Sequence, residues 1–361
     1  MRTQKNQHTA SLLKSLEALL WNKREVRTFR ALVALFLDTE VRTTLQNITG
    51  ISASTASRFL SCHHAPDEVF WEALNAWQFA QFYALPRRGR RGDVRLKIDL
   101  TCIEKTGKQI PFARVFNKLF GIQLVVLHAC VGGLSVPLSY RIYLGKGKPS
   151  VTDLALDLLS EFPASRFGAR VVVLADSGFS SREFITGCYD LGFTRLLLGM
   201  KCNRRLTDGR RLDELTVRGE KVALHDLAEQ PLYLSWCDVK RDEGKKRFYV
   251  AATFRAGGAY LARRYRKRWL IESFFKSVKY DFGLKEARVR TKTGIRLWIL
   301  LACLAFSLAS LQRTLSTRTL NLLQAAKCVL DSLLDVRLLQ LLSECERLSQ
   351  ACRRPLKLVY V

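Results

Sequence analysis

The chain has 361 residues with 59 Lys/Arg against 32 Asp/Glu, a formal net charge of +27 and a sequence pI of about 10.1. That length allows two or three domains with real cores. The charge excludes the near-neutral balance of most soluble enzymes and points to a polyanion, of which nucleic acid is the commonest.

Residues 1–85 have helical periodicity, with apolar positions recurring in Leu12–Trp21, Phe29–Leu37 and Phe70–Leu85. Between them, the stretch from Thr43 to Leu60 predicts a helix, a turn at Gly50 and a Ser-capped second helix with Ala56 and Phe59 inward. That is a helix-turn-helix with Arg58 on its second helix; a plain helical hairpin is the competing reading. The first ten residues lack the apolar core of a signal peptide. Pro86–Gly92 is nearly all Arg and Gly, a basic linker (86–93) that breaks any helix.

From Val94 the period changes to two. Val94, Leu96, Ile98 and Leu100 alternate with Arg95, Lys97, Asp99 and Thr101, a strand. Further strands are expected at Gly121–Val131, Ser135–Tyr143, Arg170–Asp176 and Phe193–Met200, with helices at Val151–Phe162 and Ser180–Leu191. The order β-β-β-α-β-α-β predicts an α/β, ribonuclease-H-like mixed sheet with helices on its faces, spanning 94–293. Residues 201–254 interrupt it as a β-rich insertion. One long helix is expected from about Gly258 to Tyr280, and a helical region from 294 to about Cys352, Leu-rich at Leu320–Leu342. The uncharged run Leu297–Gln312 is expected to be a buried helix and not a membrane span.

Ten cysteines lie between Cys62 and Cys352 with no CxxC pair and no His at ligand spacing. This argues against zinc and disulfides and fits a cytoplasmic protein in a reducing compartment. His128 and the His63-His64 pair have no partners at useful spacing, which favours core or surface roles.

Three carboxylates stand apart from the rest. Asp99 sits within the first strand, opposite its apolar face, where a charge is expensive unless paired or metal-bound. Asp176 ends the fourth strand before Ser177-Gly178-Phe179, and the first and fourth strands are expected to be neighbours. Glu272 lies on the long helix within Tyr265-x2-Arg268-x3-Glu272-x6-Lys279. At 100° per residue those four side chains share an arc of about 60°, with Leu270, Ile271, Phe274 and Val278 facing a core. Converging, the three acids form an oxygen-only site suited to Mg²⁺ or Mn²⁺. Taken singly, Asp176 could cap the next helix and Glu272 could be an i,i+4 partner of Arg268 or Lys276. Asp93, Glu104 and Asp281 are weaker candidates. Residues 253–293 hold 12 Lys/Arg against 3 Asp/Glu, so cations crowd the same segment.

This pattern resembles the DDE transposases of bacterial insertion sequences, and among them the insertion-sequence family four branch with its Tyr-Arg-Glu-Lys signature. Asp176-Ser177-Gly178-Phe179 is similar to the family's Asp-x-Gly-Phe/Tyr step, and the 201–254 interruption is similar to the family's β-rich insertion. The resemblance implies that Asp99, Asp176 and Glu272 hold the metals and that Tyr265, Arg268 and Lys279 contact phosphates of the transposon ends; Lys276 and Arg58 are further DNA-binding candidates. It also implies a synaptic homodimer on double-stranded DNA and cut-and-paste movement through a hairpin. Some relatives hold a flipped base with an insertion-domain Trp, and Trp236 is the only Trp in this insertion. Leu232, Leu234 and Trp236 share a strand face, so burial is its competing role, and the short insertion leaves the hairpin step open. The rival functions are a ribonuclease-H-like endonuclease without strand transfer and a non-catalytic DNA-binding repressor.

Overall fold

The computed structural model describes residues 2–62, 67–84, 93–107, 109–116, 118–146, 149–167, 170–241 and 244–334. The linker Pro86–Gly92, the pair His63-His64, the far part of the Leu320–Leu342 stretch and the helical end near Cys352 lie outside the described residues.

Four helices open the chain: α1 (Arg2–Glu17), α2 (Lys23–Leu37), α3 (Ala53–Cys62) and α4 (Asp67–Ala84). Asn22 caps α2 by accepting the Glu25 N–H at 3.0 Å, and Phe29, Leu32, Val33 and Phe36 form its buried stripe. The expected helix-turn-helix is corrected in its first half. Before Gly50 (φ +80°) only one 3₁₀ turn forms, Leu45–Asn47. The β-branched run at Val41, Thr43 and Thr44 resists a helix, and the Asn47 side chain bonds the Arg42 carbonyl at 2.8 Å instead. The second half is as expected: Ser52 Oγ accepts the Thr55 N–H at 3.2 Å, Ala56 and Phe59 are buried, and Arg58 is exposed.

The middle of the chain builds one nine-stranded sheet. Its elements are β1 (Val94–Glu104), β2 (Arg114–Phe116), β3 (Leu119–Val131), β4 (Leu134–Tyr143), α5 (Val151–Ser160), α6 (Ala164–Phe167), β5 (Val171–Ala175), α7 (Arg182–Asp190), β6 (Leu196–Met200), β7 (Lys221–Leu224), β8 (Leu227–Arg241) and β9 (Gly244–Ala252). The strand order is β2-β3-β1-β5-β6-β9-β8-β7, with β4 also paired to β3. Among the described residues only β1–β5 and β5–β6 are parallel, so this mixed sheet is mostly antiparallel. The first and fourth expected strands, β1 and β5, are neighbours as expected. The 201–254 stretch does not fold away from the sheet but lengthens it: β9 pairs with β6, and β8 with β9.

Beyond the sheet come α8 (Gly258–Arg266), α9 (Leu270–Tyr280), α10 (Lys292–Leu315) and a helix over 322–334. The single helix expected across 258–280 is corrected: a 3₁₀ turn at Lys267–Trp269 divides it. A tightened turn eclipses residues three apart, and here it lays the Arg268 guanidinium over the Tyr265 ring, 5.8 Å from its centroid. The change of phase also turns Leu270 outward, 46% exposed, while Ile271, Phe274 and Val278 stay buried as expected.

α10 is long and apolar enough to cross a membrane, yet 94% of its most apolar window is buried inside the fold. It packs on α2, α3, α4 and β4. Its polar side chains have interior partners: Ser307 Oγ accepts from Gln78 Nε2 at 3.1 Å and Ser310 Oγ from the Ser135 N–H at 3.2 Å. Just before it, Gly283 (φ +67°) lies so close to Thr43 that an added Cβ would stand 2.2 Å from the Thr43 Cβ. One hydrophobic cluster therefore runs from the N-terminal helices through α10 to the sheet.

Candidate active site

Strand register decides where the acids go. Lys97 is opposite Leu174 and Ile98 opposite Ala175 in the parallel pair β1–β5. Asp99 and Asp176 are the next residues on that ladder, two beyond Lys97 and Leu174, so they share one sheet face where the strands part. α8 covers the same face, packing Leu261, Ala262 and Tyr265 on Val172, Leu174, Leu197, Val250 and Ala252. α9 follows directly and brings Glu272 over the end of β1.

Gly199 gives this roof its height. It sits on β6 on the covered face, opposite Val250, and a Cβ there would lie 2.3 Å from the Tyr265 hydroxyl and 2.9 Å from the Ser177 nitrogen. Tyr265 is therefore wedged beneath its helix, against the turn that carries Asp176. A glycine inside the run Leu196-Leu197-Leu198-Gly199-Met200 is the sequence signal for such a close approach, and the sequence reasoning passed over it.

The acids are held by different means. Asp99 Oδ1 accepts the Leu100 N–H at 2.9 Å and Oδ2 accepts from Arg268 Nη1 at 2.8 Å. Asp176 Oδ1 accepts the Gly178 N–H at 2.8 Å, capping the 3₁₀ turn Ser177–Phe179. Glu272 Oε1 accepts from Arg268 Nη2 at 2.9 Å as its i,i+4 partner. The i,i+4 pair expected for Glu272 is thus present, whereas Asp176 caps only this short turn and Ser181 caps the helix α7 that follows. Burial pushes the Asp99 carboxyl up to about 6; Arg268 opposes this, while Asp176 and then Glu272 add to it.

The Tyr-Arg-Glu-Lys residues do not share the open face expected for them. Tyr265 and Arg268, expected on an open face with Glu272 and Lys279, are 3% and 7% exposed, because the 3₁₀ turn rotates both toward the sheet. Lys279 is half-buried toward Cys102 and Glu104, its ammonium held below the usual range first by burial, while Lys276 is exposed. Trp236 is 7% exposed, the burial weighed as its competing role; the guanidinium groups of Arg218 and Arg247 lie over its ring at 5.0 and 5.1 Å, and Asp238 pairs with both arginines. Asp93, expected in the linker, pairs with Arg264 and Arg195.

The three acids were also expected to converge as a metal centre. Among the described residues, no group of three His, Cys, Asp or Glu side chains is drawn together for a metal ion. Instead the Arg268 guanidinium spans two of the three, Asp99 and Glu272. As a donor set the acids still suit a hard divalent cation: they are all oxygen, Asp176 and Glu272 raise the cost of charging Asp99, and two of the three already close on one cation.

Behind the site lies a cluster that sequence reasoning missed. Lys97 is fully buried two residues before Asp99, and its Nζ donates to Cys130 Sγ at 2.8 Å. Fully buried His128 packs against Phe274 in a tilted ring pair at 4.9 Å and its Nε2 is 3.1 Å from Ser135 Oγ, the core alternative of the two roles expected for it. Burial pulls the Lys97 ammonium below its usual range, with Arg95 and Arg268 adding to this against Cys130. Replacing a buried cation that has only a soft sulfur acceptor with an apolar isostere should help folding. Lys97→Met is expected to raise the urea midpoint by the equivalent of about 1–3 kcal/mol; a drop would show that the ammonium is a net stabiliser.

The surface beside α8 is crowded with cations. Arg95 first, then burial, Arg264 and Arg263 lower the Lys267 ammonium below its usual range.

The family profile described as Transposase DDE domain matches residues 93–308. Among solved structures, the chain is similar to one described as a cryo-EM structure of a piggyBac transposase synaptic complex with hairpin DNA, at 12% identity and a TM-score of 0.45, covering 94% of this chain and 78% of that one. No curated protein matches the chain.

Proposed function

Since the chain belongs to the Transposase DDE domain family, we propose that it cuts and joins double-stranded DNA at the ends of a mobile element, as a member of the insertion-sequence family four branch. One observation carries this reading: the β1–β5 register puts Asp99 and Asp176 on one sheet face, covered by α8, the helix that leads into the Glu272 helix. The order β4-β3-β1-β5-β6 (third, second, first, fourth and fifth expected strands) supports a ribonuclease-H-like core.

Asp99, Asp176 and Glu272 would hold Mg²⁺ or Mn²⁺, which when bound supplies an activated water and neutralises the leaving oxygen of a phosphodiester. The chain's own residues do the positioning. The Leu100 and Gly178 N–H groups fix one oxygen of each aspartate. Tyr265 props the Asp176 turn from above Gly199. The cations around Lys267, with Lys276 and Lys279 on α9, offer the DNA backbone a charged track, and exposed Arg58 on α3 offers a second contact. Two copies pairing two DNA ends complete the proposal.

The test is incubation with a duplex carrying the element's terminal inverted repeats. Nicking and joining to target DNA are expected in Mg²⁺. Glu272→Gln should lower cleavage by at least about a hundredfold with DNA affinity little changed. Cleavage that persists in chelator sinks the metal assignment. Nicking without joining would favour the endonuclease, and binding without nicking the repressor.

A further inference from the structure

We propose that Arg268 is a built-in counter-cation that occupies the acidic site in the DNA-free chain and surrenders it to a divalent cation only when a DNA phosphate draws the guanidinium away. This rests on reading Asp99, Asp176 and Glu272 as a cation site. Arg268 bonds Asp99 and Glu272 at 2.8 and 2.9 Å, so the two acids already share one positive charge. A metal ion entering between them must displace it, because two cations on the same oxygens repel.

The guanidinium is held in a way that allows exchange. Its Nε is buried with no hydrogen-bond partner, so the planar fork is only partly used. The Glu272 side chain is 56% exposed, which makes that half of the bridge a weak, water-screened pair. Arg268 also sits in the 3₁₀ turn between α8 and α9, where the backbone hydrogen bonding is already off the α-helical pattern. A phosphate diester offers the fork a bidentate partner and restores the lost charge balance. The cations around Lys267 would bring that phosphate to the same surface. Metal and DNA then bind cooperatively, and a chain without DNA has no assembled hydrolytic centre.

Mn²⁺ titration followed by the paramagnetic signal of free Mn²⁺ tests this without relying on activity. DNA-free Arg268→Gln is expected to bind Mn²⁺ at least about tenfold more tightly than the unaltered chain. A linear DNA duplex of mixed sequence should tighten Mn²⁺ binding by a similar factor in the unaltered chain and much less in the variant. By reciprocity, Mn²⁺ should strengthen binding of the duplex to the same extent. Arg268→Lys, which keeps the charge but loses the fork, guards against a folding defect and should fall between the two. Equal Mn²⁺ affinity in all three DNA-free proteins, abolished by Asp99→Asn, overturns the proposal while leaving the cation site standing. Absence of Mn²⁺ binding from every protein, with and without duplex, overturns the cation site and this inference together.

Discussion

Asp99→Asn is expected to abolish DNA cleavage and at the same time to make the metal-free protein more stable. The two effects share one cause. Asp99 is 9% exposed, and burial, Asp176 and Glu272 outweigh Arg268, so its carboxyl rises from 3.8 to about 6. A carboxyl whose folded pKa is raised binds its proton more tightly in the folded chain than in the unfolded one. The proton-linked stability is therefore fully present below the unfolded value and is lost as pH climbs through the folded value. At neutral pH the fold carries a charge it would rather not hold. Asn has the shape of the protonated acid without that charge, so the gain should be about 1–3 kcal/mol above pH 6 and close to zero below pH 4. Urea midpoints of the two proteins across that range, without metal, provide the check. A variant less stable at neutral pH would mean that the Arg268 pair outweighs the burial cost. Cleavage should fall by at least about a hundredfold, and activity near that of the unaltered chain would remove Asp99 from the chemistry.

Gly199→Ala is expected to cost at least about a hundredfold in cleavage although residue 199 touches no reacting atom. Its new methyl group would meet the Tyr265 hydroxyl at 2.3 Å, the Ser177 nitrogen at 2.9 Å and the Asp176 carbonyl carbon at 3.2 Å. Two of these are backbone atoms of the turn that aims Asp176, and the third terminates a rigid ring under α8. Something must shift, because real Cβ atoms essentially never approach other heavy atoms within 3.0 Å, and the choices are the carboxylate's turn or the helix that leads to Glu272. Overpacking of this kind also costs about 1–3 kcal/mol. Because the largest clash is with a hydroxyl, Tyr265→Phe in the same chain should recover part of the lost rate and stability, a coupling that a double-mutant cycle reads directly. Additive effects would show that Tyr265 is not the prop, and DNA affinity lost along with cleavage would point to general unfolding.

The periodicities of the chain were legible because each depends on a few neighbours. Alternation through Val94–Thr101 located β1 and set Asp99 on its polar face; helical spacing located α2, and Ile271, Phe274 and Val278 as the buried side of α9. The same locality misled at Thr43–Ile48, where β-branching overrode an otherwise helical pattern, and at Lys267–Trp269, where packing of Tyr265 and Arg268 tightened the turn. Trp236 could be placed on a face shared with Leu232 and Leu234, yet its arginine partners, Arg218 and Arg247, come from separate segments.

By itself the sequence determined which residue types were available and on which face of which element each would lie: three acids, a Tyr-Arg-Glu-Lys spacing and a stretch dense in cations. Only the tertiary structure decided their partners. Parallel register brought Asp99 beside Asp176, a missing Cβ at Gly199 let Tyr265 descend onto their turn, and Arg268 was carried between Asp99 and Glu272. The division has a physical reason. Periodicity is a property of neighbouring residues, whereas the partner of a buried charge depends on strands 77 positions apart in sequence and on which cation the folded chain carries into reach.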